Sequence, residues 1–228
     1  MHSRLLGSAL LIWAGIANAG RPLFTEDAGV LGKGECEIEA FYLNERVSDA
    51  PTSLGWSGQF ACGLGLINTQ IALGALRGST AGEHVYGIAF IGKTGLRELT
   101  DDQVGIALAY ELGGEKVYGG SLKHETAGIR AVVTVPFDKW LFHANLGWLR
   151  LESVNSNSTT WAVAAERTEI GSFDLAVEAF GEFGEPTWVN LAARWAVVPE
   201  KFFLDASYGV QTSGERAKLF TIGLKFAF

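Results

Sequence analysis

The chain is 228 residues long, one domain's worth, and its formal net charge of −7 argues against nucleic-acid binding, which needs clustered Lys and Arg to meet phosphates. Hydrophobic residues make up 48%, with 29 Gly, 14 Phe and 7 Trp, a mixture odd for an acidic soluble protein and suited to a barrel with lipid outside and small side chains within. Beyond the N-terminal stretch no apolar run approaches the roughly 20 residues of a membrane helix, because charged residues, Gly or Gln recur throughout.

Met1 to Arg4 carries positive charge, Leu5 to Ile16 is almost purely apolar, and Ala17-Asn18-Ala19 is an A-x-A cleavage pattern. Together they predict a secretory signal over residues 1–19, cleaved after Ala19. The expectation is export through the periplasm of a Gram-negative bacterium to its outer membrane.

Residues 20–34 show no strand period, and Pro22, Gly29, Gly32 and Gly34 favour irregular backbone. We expect this segment to enter the periplasmic mouth or lumen as a plug, with Thr25, Glu26 and Asp27 bonding inward-facing polar groups. A disordered leader is the alternative.

From residue 35 onward, apolar and small-or-polar residues alternate with a period of two in about twelve segments. They cover roughly 35–44, 55–64, 67–77, 83–93, 102–112, 128–135, 140–151, 159–168, 173–181, 187–198, 201–212 and 218–228. In the fifth, Val104, Ile106, Leu108, Tyr110 and Leu112 oppose Gln103, Gly105, Ala107, Ala109 and Glu111, the clearest such repeat. An unpaired backbone N–H or C=O in hydrocarbon costs several kcal/mol, so the sheet must close. The predicted fold is all-β: a transmembrane antiparallel up-and-down β-barrel over 35–228. Connections 45–54, 113–127 and 152–158 should face outward, and the tight ones at 65–66, 136–139, 169–172 and 199–200 the periplasm. Segment 94–101 breaks that rule and 116–125 could form another strand, so ten or fourteen strands stay open.

The same parity collects Glu37, Glu39, Glu111, Arg130, His143, Asn145, Glu166, Asp174, Glu178, Asn190, Arg194, Asp205 and Lys225 on the inward faces as candidate lumen-lining residues. Arg194 should lie between Asp174 and Glu178 on one side and Asp205 on the other, and Lys225 should face Glu37 or Glu39 across the closing seam. Other inward positions are small, such as Ala61, Gly63, Ala72, Gly105, Ala107, Ala162 and Ala164, which leaves room for a passage or pocket. Cys36 and Cys62 fall near the periplasmic ends of the first two strands on one face, a candidate disulfide in an oxidising compartment. The scattered His residues have no zinc-site spacing, and neither metal nor cofactor is implied.

The last segment, K-L-F-T-I-G-L-K-F-A-F ending at Phe228, resembles the closing strand of bacterial outer-membrane barrels, which implies recognition by the barrel assembly machinery. Arg21-Pro22-Leu23-Phe24-Thr25-Glu26-Asp27-Ala28-Gly29, with Gly34-Glu35-Cys36-Glu37-Ile38-Glu39 and His143-Ala144-Asn145-Leu146-Gly147, resembles the outer-membrane family labelled for the MetA pathway of phenol degradation. Glu26 stands where that family's pattern has Asp. The resemblance implies a transporter of aromatic or other hydrophobic compounds, with outer-membrane lipid and small solutes as partners.

Function then divides three ways. The leading reading is a channel or transporter for small, aromatic or hydrophobic solutes rather than an enzyme. A structural or adhesive barrel with a blocked lumen is the second. A lipid-modifying enzyme is the third; it would need a Ser beside a His on the lipid side, where His84 is the sole outward candidate.

Overall fold

The structure, a computed structural model, describes residues 23–228. The predicted signal peptide and its cleavage site, together with Arg21 and Pro22, lie outside the described residues.

Twelve antiparallel strands close into a single barrel. They are β1 (Cys36–Arg46), β2 (Ser53–Gly63), β3 (Thr69–Thr80), β4 (Glu83–Arg97), β5 (Gly105–Val117), β6 (Lys123–Phe137), β7 (Trp140–Leu151), β8 (Ser156–Ile170), β9 (Phe173–Glu182), β10 (Trp188–Val198), β11 (Phe202–Gln211) and β12 (Lys218–Ala227). Each strand pairs with its sequence neighbours, and β12 returns to β1, so no edge is left. At the seam Cys36 N–H donates to Phe228 O and Phe228 N–H to Cys36 O, at 2.9 Å each. Cys36 and Cys62, directly opposite in the β1–β2 register, form a disulfide.

The strand count is twelve; neither ten nor fourteen applies. Segment 116–125 adds no strand, because it forms the upper ends of β5 and β6, shifted in register at Gly113/Gly114. The connection expected over 113–127 therefore shrinks to 118–122, and that expected over 45–54 to 47–52. The strand ends are polar, so the hydrophobic period fades there while backbone pairing continues. The β3–β4 connection, at the same end, is only Ala81 and Gly82, both with positive φ (52° and 84°), as the tight primed hairpin turn requires. At the opposite end 98–104 is the long exception, reached because β4 runs to Arg97 across a shift between Gly95 and Arg97.

Alternation sorts the side chains. Leu73, Ile88, Leu112, Leu146, Leu191 and Ile222 point outward and are more than half exposed, a belt of apolar surface around the wall that matches hydrocarbon rather than water. Trp56, Trp148 and Tyr208 lie in the upper part of that wall, with Phe173 and Trp195 stacked 6.0 Å apart near the other rim. The inward faces carry the buried charges, and what fills the space between them is the chain's own N-terminal segment.

Candidate functional site

Residues 23–35 lie inside the barrel and descend in chain order from Phe24, beside Leu43 and Leu219, to the end that holds Phe228, where Gly34 N–H donates to Gly63 O at 3.1 Å. Their apolar side chains seat on patches of small inward residues. Leu23 packs with Ala164, Ala176 and Ala192, and Ala28 with Ala107, Ala109 and Val132. Leu31 packs against Ala61, Ala72 and Ile91. A Cβ at Gly63 would collide with the Leu31 and Gly32 carbonyls, so the missing side chain is what lets the segment lie against β2. The small positions that suggested an empty lumen thus form the bed of this strap.

Its polar groups are met one by one. Glu178 on β9 accepts the Phe24 and Thr25 backbone N–H groups at 3.0 and 2.8 Å and the Thr25 hydroxyl at 2.6 Å, and the Asn190 amide donates to it at 2.7 Å. Asn145 on β7 clamps Glu26 by both backbone groups: its Oδ1 accepts the N–H at 2.7 Å and its Nδ2 donates to the carbonyl at 2.9 Å. The Thr134 hydroxyl accepts the Ala28 N–H at 2.9 Å and meets His143 Nδ1 at 2.9 Å, and Gln70 accepts the Leu31 N–H at 2.8 Å. Lys93 on β4 reaches Glu26 Oε1 at 2.7 Å and the Asp27 carbonyl at 3.1 Å, with Asp27 Oδ1 at 3.8 Å. Burial pushes the Glu26 carboxyl up, against the pull of Lys93. Desolvation is the largest influence on Asp27 and opposes its ionisation, but the fields of Lys93, His143 and Lys225 and the Gly29 N–H together outweigh it and hold that carboxyl below its ordinary value.

All thirteen candidate lumen residues occupy the inward parity of their strands. Two charge ladders flank the strap. Lys225 bridges Glu37 at 2.5 Å and Glu39 at 3.5 Å across the β12–β1 seam. Arg194 lies opposite both Asp174 and Asp205, bonds Asp174 at 2.9 Å and reaches Glu166 at 2.7 Å, with His143 Nε2 3.5 Å from the other Glu166 oxygen. Glu178, expected beside Arg194, turns to the strap instead. Glu111 and Arg130 are diagonal neighbours on β5 and β6, higher in the lumen. Lys93, Thr134 and Gln70 were not among the candidates. Parity was the available signal for Lys93, since His84 on the same predicted strand faces outward and nine residues separate them.

Above the strap, toward the 118–122 end, lies a chamber of about 750 Å³. Phe24 forms its floor, stacked 4.8 Å from Phe180, which lies 6.3 Å from Trp188; Leu149 and Leu219 continue the apolar wall. Its polar lining includes Asn145, Arg130, Gln211 and the carboxylates of Glu45, Glu182, Glu185 and Glu215. Among the described residues no cluster has the make-up of a metal site.

Solved structures share this architecture. The COG4313 outer membrane channel from Pseudomonas putida F1 aligns with a TM-score of 0.65 at 12% identity, over 89% of this chain and 98% of that one. The KdgM porin in complex with disordered oligogalacturonate gives 0.58 at 9%, over 83% and 99%. Outer membrane phospholipase A from Escherichia coli gives 0.52 at 7%, over 96% and 97%. At such identities the likeness establishes the fold. The family described as "Uncharacterised conserved protein UCP029691" matches residues 8–228. The chain belongs to that family. No curated protein matches the sequence.

The Ser and His that a lipid-modifying enzyme would need belong on the outer wall of this UCP029691 barrel. His84 there stands directly across from Ser79 in the β3–β4 register. No hydrogen bond joins them, and His84 Nδ1 is buried without a partner among the described residues. A Ser–His pair needs a third group to orient the imidazole. That arrangement is incomplete here.

Proposed function

We propose that this protein is an outer-membrane channel for small neutral or cationic solutes with aromatic or apolar bodies, and that residues 23–35 are the plug that controls its lumen. The observation that carries this reading is the strap itself, which is threaded through the barrel and leaves a chamber with an aromatic floor and a carboxylate-rich lining. Aromatic rings supply a flat apolar surface, and carboxylates that outnumber the single Arg130 disfavour anions. A polyanion such as the oligogalacturonate held by KdgM is a poor match to this wall. The resemblance of residues 21–29 to the MetA-pathway family supports the same aromatic class.

Export and outer-membrane residence belong to the same proposal, supported by the closed barrel and its apolar belt. Conductance of the chain beginning at Gly20, refolded into planar bilayers, tests it, with heat-modifiable gel mobility reporting folding. The expected result is small, cation-favouring steps that enlarge when residues 21–32 are deleted. Silence from both folded proteins would overturn the channel in favour of a structural barrel.

A further inference from the structure

The outer wall carries an arrangement of charge that a channel does not require. At every cross-strand paired position, Asp and Glu take the inward parity; none faces outward. Yet four exposed cations do face outward near the loop end, and no ion pair neutralises them among the described residues. Arg46 and Lys218 are direct cross-strand partners at the β1–β12 seam. Arg77 on β3 and Lys116 on β5 are the two partners of Tyr86 on β4, and they lie 5.8 and 5.9 Å from its ring centroid. By contrast, outward-facing Arg150 is tied to Glu152 at 3.0 Å.

Like charges placed opposite one another destabilise a sheet unless an anion lies between them. One aromatic face attracts a cation, but two cations sharing one ring still repel. Below Arg77, Tyr86 and Lys116 the same three strands present Leu73, Ile88 and Leu112, exposed by 68%, 56% and 57%. A ligand that satisfies this surface carries negative charge at the level of Tyr86 and hydrocarbon beneath it. One pair is centred between β12 and β1 and the other on β4, three and a half strand spacings or roughly 17 Å apart along the sheet, a gap that the long Arg and Lys side chains shorten. A headgroup with two phosphates on a disaccharide spans such a gap, whereas a single-phosphate lipid meets one pair at a time.

We propose that the loop-end wall from β12 to β5 is a binding site for a diphosphorylated glycolipid of the outer leaflet. Arg77 and Lys116 grip one phosphate beside Tyr86, Arg46 and Lys218 grip the second, and the acyl chains run down over Leu73, Ile88 and Leu112. This rests on the outer-membrane placement proposed above, not on conduction.

Native mass spectrometry of the folded full mature chain, released from detergent with defined lipids, tests it. The probes are diphosphorylated lipid A, the same lipid stripped of phosphate, and phosphatidylglycerol. Lipid A is expected to bind at least about tenfold more tightly than either, the scale of one charge-assisted hydrogen bond. R77Q/K116Q should abolish that preference while leaving the conductance of the barrel in lipid-A-free bilayers unchanged. Equal retention of the phosphate-free lipid or of phosphatidylglycerol by the wild type would overturn the site, with no variant needed. So would an unaltered preference in folded R77Q/K116Q. A silent barrel that keeps its lipid A preference would defeat the channel and leave this site standing.

Discussion

Glu178 and Thr25 are 153 residues apart in sequence, and their side chains meet at 2.6 Å inside the barrel. That carboxylate also holds two backbone N–H groups of the strap, so one side chain fixes three donors. Glu178→Ala is expected to unseat residues 23–28 without opening the barrel, because β9 and β10 keep their ladder. Hydrogen bonds to a charged group are worth about 1.5–3 kcal/mol each, and losing even two shifts the seating equilibrium by roughly a hundredfold or more. Single-channel recordings should show longer and larger openings than wild type at unchanged heat-modifiability. An unchanged trace would show that the apolar seats, not Glu178, hold the strap.

Lys93 offers a different lever, because its removal strands a charge. Breaking a buried ion pair from one side costs about 3–5 kcal/mol. Burial already pushes Glu26 up, and Lys93 is the largest force restraining it. In Lys93→Met the seated strap tolerates Glu26 best as the neutral acid. Its carboxyl is then raised in the seated state relative to the released one. Seating is therefore favoured at low pH, weakens as pH climbs from the ordinary carboxylate value toward the raised one, and levels off above it. Conductance of K93M should rise from acid to neutral pH, and adding Glu26→Gln should flatten that dependence. A K93M profile parallel to wild type would remove Lys93 from the account of how the strap is held.

Parity makes most of the wall readable in the sequence. In β5 apolar residues alternate with Gly, Ala and Glu, so period two assigns both faces, and β7 (Trp140–Leu151) keeps the limits its sequence suggests. Glu45 shows where this stops. It reads as the first residue of a loop, yet it is buried on the inward face of β1, because pairing with Ser53 and Leu219 continues past the point where side chains alternate in polarity. The strap's glycines and Pro22 announced irregular backbone, and Thr25 and Glu26 announced a need for partners. Which partners could not be read, since Glu178, Asn145 and Thr134 lie more than a hundred residues away and are chosen by how β9, β7 and β6 align around the lumen.

The Cys36–Cys62 bridge closes a 26-residue separation, for which the chain-entropy model gives about 3–4 kcal/mol. The two residues are also held by the β1–β2 ladder and by the closure of Cys36 onto Phe228, so the barrel need not open when the bridge is cut. C36S/C62S is expected to fold, to lose heat-modifiable mobility at a lower temperature than wild type, and to conduct alike. Thiol titration of the denatured, unreduced wild type should find neither cysteine free. Two titrating thiols would mean that the refolded or isolated protein had not formed the bridge.

Ala107 separates packing from polar tethering in the strap. It is 1% exposed, lies against Ala28 together with Ala109 and Val132, and makes no side-chain hydrogen bond. Ala107→Leu adds bulk where the strap passes, at a typical overpacking cost of about 1–3 kcal/mol, while Glu178, Asn145 and Lys93 stay intact. The barrel relieves that strain by releasing the strap, since strand pairing between β5 and its neighbours is far more extensive than the contact with Ala28. The expected outcome is a folded barrel with raised conductance and a strap that proteases can reach. Combining A107L with Ala28→Gly returns space at the contact and should restore part of the closure. If A107L instead lowers conductance, the added side chain is filling a passage beside a strap that stays seated, and the plug is not the element that limits flow.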